Sequence, residues 1–211
     1  MNVVALDVKP AALARACAPL LAADANAIIG IVDLGWTGAA LSLMHQGVAI
    51  YGRTLGDCGL YKLYHTLSTR LGLEIEVIDY LLSESGIAGP TPAAAPAAPA
   101  PPRPTGGPRK AKAASDAAGL IAAHFEAAVH ELQVSLSYAQ HQYPDTPLSR
   151  LLVVGGGACI RGVTEHLRAT LDIEARSVAP ADVSPVAPVV AEKCASPGLT
   201  AALGLAMFSE G

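Results

Sequence analysis

Ile28-Ile29-Gly30-Ile31-Val32-Asp33-Leu34-Gly35-Trp36-Thr37-Gly38-Ala39-Ala40-Leu41-Ser42-Leu43-Met44 is the stretch on which the fold turns. Its first part is a nearly unbroken apolar run, the pattern of a strand buried on both faces. The run ends in Asp33, followed by Leu34-Gly35 and Thr37 in a polar glycine turn. A second apolar run reaches Met44. His45-Gln46-Gly47 then makes a hairpin turn, with Val48 to Thr54 as the return strand. A carboxylate at a strand end, beside a glycine whose N–H is open to a ligand, suits a phosphate and its Mg²⁺. Glycine also lets the backbone approach a ligand closely. Asp-x-Gly occurs in ordinary hairpins too, so the turn gains meaning only from a partner elsewhere in the chain.

A partner lies downstream. Ser149-Arg150-Leu151-Leu152-Val153-Val154 reads as another buried strand, running into Gly155-Gly156-Gly157-Ala158. A helix is expected from Ile160 or Arg161 to Leu171. Three glycines after a buried strand let the backbone lie flat against a planar or anionic ligand, with the helix N-terminus pointing at it. The same glycines equally suit a tight strand-to-helix connection with no ligand.

The bulk numbers narrow the class. The chain has 211 residues, 52% hydrophobic and 15% charged, so it can bury a sizeable core. Aromatics are only 4%, which leaves alanine and branched aliphatics to fill that core. A net charge of −4 gives no electrostatic case for nucleic acid. No uninterrupted apolar run of about 18 residues predicts a transmembrane helix. The N-terminus lacks the pattern of a signal peptide. Cys17, Cys58, Cys159 and Cys194 are far apart and form no C-x-x-C pair, so they read as reduced thiols of a cytoplasmic protein. The histidines lack metal-site spacing.

The remaining elements follow from periodicity and punctuation. Asn2 to Val8 looks like a short strand, and Lys9-Pro10 opens an alanine-rich helix to about Ala23. Leu60, Leu63, Tyr64, Leu67 and Leu71 trace a helical stripe that Gly72 is placed to end. Glu74 to Ser85 suits a further helix. Residues 87–114 are rich in Ala, Pro, Gly and basic residues, the composition of a disordered linker. It divides a first part, residues 1–86, from a second, residues 115–211. Ser115 is placed to cap a long helix whose stripe runs from Leu120 to Tyr143. Glu174 to Val178 suits a strand, residues 179–197 a loop, and Leu199 to Met207 a closing helix. The fold class is α/β, a mixed sheet flanked by helices.

The two turns, in this order and spacing, resemble the actin-like ATPase superfamily, and within it the PilM side of the PilM/FtsA branch. The matching residues are Ile31 to Gly35 with Thr37 and Ser42, and Tyr51-Gly52-Arg53-Thr54. Glu131-Leu132 with Ser135, Leu136 and Tyr138, Leu151 to Val163, and Leu199 to Ala206 are similar as well. The resemblance implies an actin-like (ribonuclease H-like) fold with its N-terminal subdomain largely missing. It implies a nucleotide site: Asp33, Gly35 and Thr37 would meet phosphates, with Mg²⁺ on Asp33. Gly155, Gly156 and Gly157 would pack on the adenosine, and Glu131 would reach the ribose. Glu131 read by itself is equally a solvated helix residue. The implied cofactor is ATP with Mg²⁺. The implied role is a scaffold of type IV pilus assembly or secretion, cytoplasmic and peripheral on the inner membrane. Its implied partner is a PilN-like inner-membrane protein, alongside self-association.

The sequence also departs from the family. Only 32 residues precede Asp33 where a first phosphate loop is expected, and the early candidate Asp7-Val8-Lys9-Pro10 has no glycine. An ATP site needs donors from both sides of its cleft, so hydrolysis by this chain alone is not expected. Two alternatives stay open: an ATPase completed by another chain or by dimerisation, and an FtsA-like cell-division protein. Trp36 could stack on a base or partner, or cover the sheet edge. Cys159, near a helix start, is a candidate for a lowered thiol pKa.

Overall fold

A computed structural model describes residues 6–87 and 108–208, the side chains of 108–114 excepted. The strands are β1 (Ile28–Leu34), β2 (Ala39–His45), β3 (Val48–Leu55), β4 (Leu148–Val154) and β5 (Glu174–Ser177). They form one sheet in the order β3-β2-β1-β4-β5. β1, β2 and β3 are antiparallel neighbours, whereas β1, β4 and β5 run parallel. The hairpin between β2 and β3 turns on Gln46 and Gly47, both at positive φ (51° and 77°), the pattern of a type I′ turn.

Every residue of β1 is buried, which explains its lack of alternation. Its side chains divide between two cores. Ile28, Val32 and Leu34 join one cluster with Leu41, Leu151 and Val153. Ile29 and Ile31 join the other with Met44, Leu152 and Val154. Successive side chains of a strand point to opposite faces, so helices must cover both.

The first face is covered by α3 (Leu60–Leu71), α4 (Ile75–Tyr80), α5 (Pro108–Gln142) and α6 (Val163–Leu171). On α5 the expected stripe is buried through Ile121, Phe125, Val129, Leu132 and Leu136. The second face is covered by α1 (Lys9–Ala16) and α2 (Ala18–Ala22), with α7 (Pro180–Val183) and α9 (Thr200–Ala206) beside them. α3 ends at Gly72, in the left-handed conformation as expected. A short α8 (Ala191–Cys194) lies in the connection between α7 and α9.

Several boundaries differ from the sequence expectation. The alanine-rich helix is broken at Cys17, because Pro19 cannot donate the bond that would continue it. Leu6 to Val8 carry no strand, and the rest of that expected strand, like residues 88–107 of the expected linker, lies outside the described residues. The long helix begins at Pro108, so Ser115 lies inside it and caps nothing. Proline at a first helical position followed by Arg109, Lys110, Ala111 and Lys112 is a strong helix start. Ile87, expected to open the linker, is buried, and its N–H donates to the Arg161 carbonyl at 2.9 Å. The 3₁₀ turn Gly156–Cys159 takes in the last two glycines, and α6 starts only at Val163. The expected loop 179–197 contains α7, α8 and a 3₁₀ turn at Pro188–Val190.

α9 crosses α1 so closely that a Cβ on Gly204 would stand 1.8 Å from the Ala12 carbonyl oxygen. That atom is backbone and cannot rotate away. Gly204→Ala is therefore expected to destabilise the chain by about 2 kcal/mol or more. Gly119→Ala meets open space within α5 and is expected to stabilise by about 0.5–1 kcal/mol. Urea denaturation of the two variants measures both, and equal effects would show that the α1–α9 crossing is not the constraint described.

Candidate functional site

The site forms where β1 ends. Asp33 is nearly fully buried there, at 5% exposed. Pairing places its side chain on the face of Ile31, away from Val32. Burying a carboxylate is costly unless it is paired. The partner is Lys9 from the first turn of α1, with Nζ 2.7 Å from Oδ2. Lys9 itself stays half-exposed, with 56% of its side chain accessible. Nothing in the sequence around Lys9 signals this pairing, which arises only when α1 folds across the sheet.

Asp33, Lys9, Thr37, Ser42 and Thr54 line a cavity of about 300 Å³ beside the turn. Thr37 is exposed and Ser42 buried. Asp33 is the only acidic residue of the lining. Gly35 differs from its expected role. Its N–H donates to the Gly38 carbonyl at 3.1 Å, and its own carbonyl accepts from Leu60 N–H at 3.1 Å. The turn is thus closed on itself and pinned to the start of α3, so this N–H is not open to a ligand.

The glycine loop reaches the same place. A Cβ on Gly155 would lie 2.5 Å from Asp33 Oδ1 and 2.7 Å from the Leu34 carbonyl oxygen, and Gly155 has φ +86°. A Cβ on Gly157 would lie 2.5 Å from Leu34 Cβ. These two glycines serve close packing against the end of β1. Gly156 alone is exposed. The Gly155 N–H donates to the Pro197 carbonyl at 3.1 Å, so the Pro197-Gly198 turn, given no role from sequence, also closes on the loop.

Glu131 does not join this group. Its carboxylate meets Arg53 on β3, with Oε2 2.6 Å from Nη2. Arg53 Nη1 also donates to Ser135 Oγ at 3.2 Å. Arg53 pairs with Leu41, so it lies on the α5 face, opposite the Asp33 carboxylate. Arg53, part of the Tyr51-Gly52-Arg53-Thr54 motif, is thus the counter-charge of Glu131.

Trp36 is 49% exposed and packs edge-on against Tyr61 and Tyr64 of α3, with centroids 6.0 and 5.0 Å away. It therefore packs on α3. Cys159 is exposed, its Sγ 3.5 Å from Ser196 Oγ. Cys17 is buried, and burial pushes its thiol up to about 11.

A tethered ammonium and three hydroxyl-bearing side chains suit an anion such as a phosphate. Among the described residues no cluster of three or more His, Cys, Asp or Glu is placed to hold a metal ion. No helix among them is long and apolar enough to cross a membrane.

By sequence, no family model and no curated protein matches. By structure, the chain is similar to a chain of a PilM–PilN type IV pilus biogenesis complex, at TM-score 0.71 and 22% identity, over 97% of this chain and 52% of that one. It is similar to ethanolamine utilization protein EutJ from Carboxydothermus hydrogenoformans at TM-score 0.52 and 17% identity, over 95% of this chain and 53% of that one. It is also similar to MreB5 of Spiroplasma citri bound to ADP, at TM-score 0.57 and 10% identity, over 99% of this chain and 60% of that one. The chain has the actin-like fold expected from its sequence, and it spans about half the length of the first two of these structures.

Two outcomes follow from the packing at the turn. Gly155→Ala is expected to cost about 2 kcal/mol or more, and Gly156→Ala, whose Cβ would meet only Leu60 Cδ1 at 3.4 Å, less than about 1 kcal/mol. Thermal melting of the pair decides it: for a chain of this size each kcal/mol is about 2–4 °C. At pH 8, iodoacetamide is expected to label Cys159 and to spare Cys17 until the chain unfolds, because only a thiolate reacts. Mass spectrometry of labelled peptides reads this directly, and early modification of Cys17 would contradict its burial.

Proposed function

We propose that this chain is a PilM-like binding module of a type IV pilus assembly or related secretion machine, working at the cytoplasmic face of the inner membrane. The observation that carries this is the superposition on the PilM–PilN complex at TM-score 0.71, against 0.52 to EutJ and 0.57 to MreB5. Its partner is a PilN-type inner-membrane protein, engaged through that protein's short cytoplasmic segment.

The module is a scaffold with a retained nucleotide pocket. Lys9 and Thr37 form its phosphate end, Asp33 holds the Lys9 ammonium in place, the exposed Gly156 outside the cavity lining is offered to the base, and ATP or ADP is the ligand class. The ADP in MreB5 of similar fold supports that assignment. Catalysis is disfavoured by the site's chemistry. The one carboxylate of the cavity is tied to Lys9, and in-line phosphoryl transfer needs a group that orients the attacking water together with charge on both sides of the phosphate.

Calorimetry tests both parts. A synthetic PilN-type cytoplasmic segment is expected to bind the purified chain in the micromolar range, about −8 kcal/mol. Absence of heat at millimolar peptide would remove the pilus assignment. ADP is expected to bind the wild type and to lose about tenfold or more in affinity in Lys9→Ala, which removes the cation that meets the phosphate. Phosphate release from ATP is expected to stay at the buffer level. Turnover abolished by Asp33→Ala would instead make the chain an ATPase.

A further inference from the structure

The fold class implies a divalent metal at the carboxylate that ends β1, and Asp33 does not fit that role. Magnesium demands near-ideal octahedral oxygen ligation and gives up water reluctantly. Here Oδ2 already holds the Lys9 ammonium at 2.7 Å. The Oδ1 side faces the Gly155 backbone, packed so near that a Cβ added there would stand 2.5 Å from that oxygen, and Asp33 as a whole is 5% exposed. The cavity offers no second carboxylate. Its lining carries one positive and one negative charge, so nothing is left over to attract a doubly charged ion.

We infer that Lys9 is a built-in counter-cation, which occupies the metal position at Asp33 and lets the pocket take a phosphate-bearing ligand without a divalent ion. This rests on the pocket being the phosphate end of a nucleotide site. Lys9 Nζ lies 3.6 Å from where a Cβ on Gly35 would stand, so the ammonium sits over the turn itself. An ammonium has three donors, and Asp33 takes one. Since 56% of the Lys9 side chain is accessible, the remaining donors can meet an incoming oxyanion. Tethering favours lysine over free metal: it competes at a high effective concentration on the same chain, whereas a metal must shed water and displace a bonded ammonium.

The test separates this inference from the nucleotide assignment by using the metal alone. Mn²⁺ is titrated into the full chain and followed by electron paramagnetic resonance. The wild type is expected to bind no Mn²⁺ at millimolar metal. Lys9→Met, which leaves the carboxylate unpaired, is expected to bind at least about tenfold more tightly and to melt at a higher temperature with the metal than without it. Lys9→Met combined with Asp33→Asn is expected to lose both effects. Wild-type Mn²⁺ binding that Asp33→Asn abolishes would overturn the inference, and so would Lys9→Met behaving as the wild type. If Lys9→Met does not fold, Lys9→Gln keeps a hydrogen-bond donor without the charge and carries the same comparison.

A second arm measures ADP affinity in EDTA and in excess Mg²⁺. Values equal within about twofold are expected, and a tenfold or greater loss in EDTA would overturn the inference. No ADP binding under either condition would remove the nucleotide assignment, and the Mn²⁺ titration would still decide the role of Lys9.

Discussion

The structure depends on β1 being buried along its whole length and on both faces. A strand so placed must carry apolar side chains in both directions, so the chain has to supply two helical layers. It also draws its one acidic residue into the interior. Asp33 lies where the sheet ends and the cavity begins, with little contact with water. An unpaired charge there costs several kcal/mol. Lys9 removes most of that cost, and it can do so only because α1 lies across the face of Ile29 and Ile31. The ion pair is thus a consequence of the sheet order as much as a feature of the site.

The same logic operates on the other face. Arg53 and Glu131 come from β3 and α5, elements far apart in sequence, and they meet because α5 lies over the edge of the sheet. Ser135, one helical turn beyond Glu131, receives the second Arg53 nitrogen and donates to the Glu131 carbonyl at 2.9 Å. Near the termini, Arg15 donates to the Gly204 carbonyl at 3.0 Å, pairs with Asp7 and lies 5.5 Å from the Phe208 ring centroid. One guanidinium ties both ends of the described chain to the α1–α9 crossing.

The strands and the helices α3 and α5 were legible in the sequence because local patterns specify them. Apolar runs ended by Asp33-Leu34-Gly35 and by the three glycines could hardly be anything but buried strands. Gly72 marked a helix end without tertiary help. What the sequence hid was tertiary or compositional. Lys9 looked like a helix start and proved to be the counter-charge of Asp33. The segment Asp7-Val8-Lys9-Pro10 lacks the glycine of a phosphate loop, yet it brings a cation to the place where phosphate is expected. Glu131 gave no sign in the sequence of its pairing with Arg53, which only the packing of α5 on β3 brings about. Residues 108–112 share the Ala, Pro and basic composition of the segment before them, yet Pro108 and the helix formers after it start α5 there.

The glycines show why fold and site are hard to separate in this chain. Gly155 and Gly157 pack so tightly on Asp33 and Leu34 that a side chain at either would push β1 and β4 apart. Their identity therefore needs no ligand to explain it. Gly156, which is exposed, is the member of the trio free to approach a flat ligand. Gly35, which sequence reasoning assigned to a phosphate, spends its N–H within the turn. What remains accessible to a ligand is a small set: the Lys9 ammonium, the exposed Thr37 and the surface of Gly156. In the proposed site the first two would meet an anion directly, and neither requires Asp33 to release its lysine. A pocket built this way keeps its buried carboxylate neutralised whether or not a ligand is present, so loading it need not loosen the strand end on which both halves of the sheet depend.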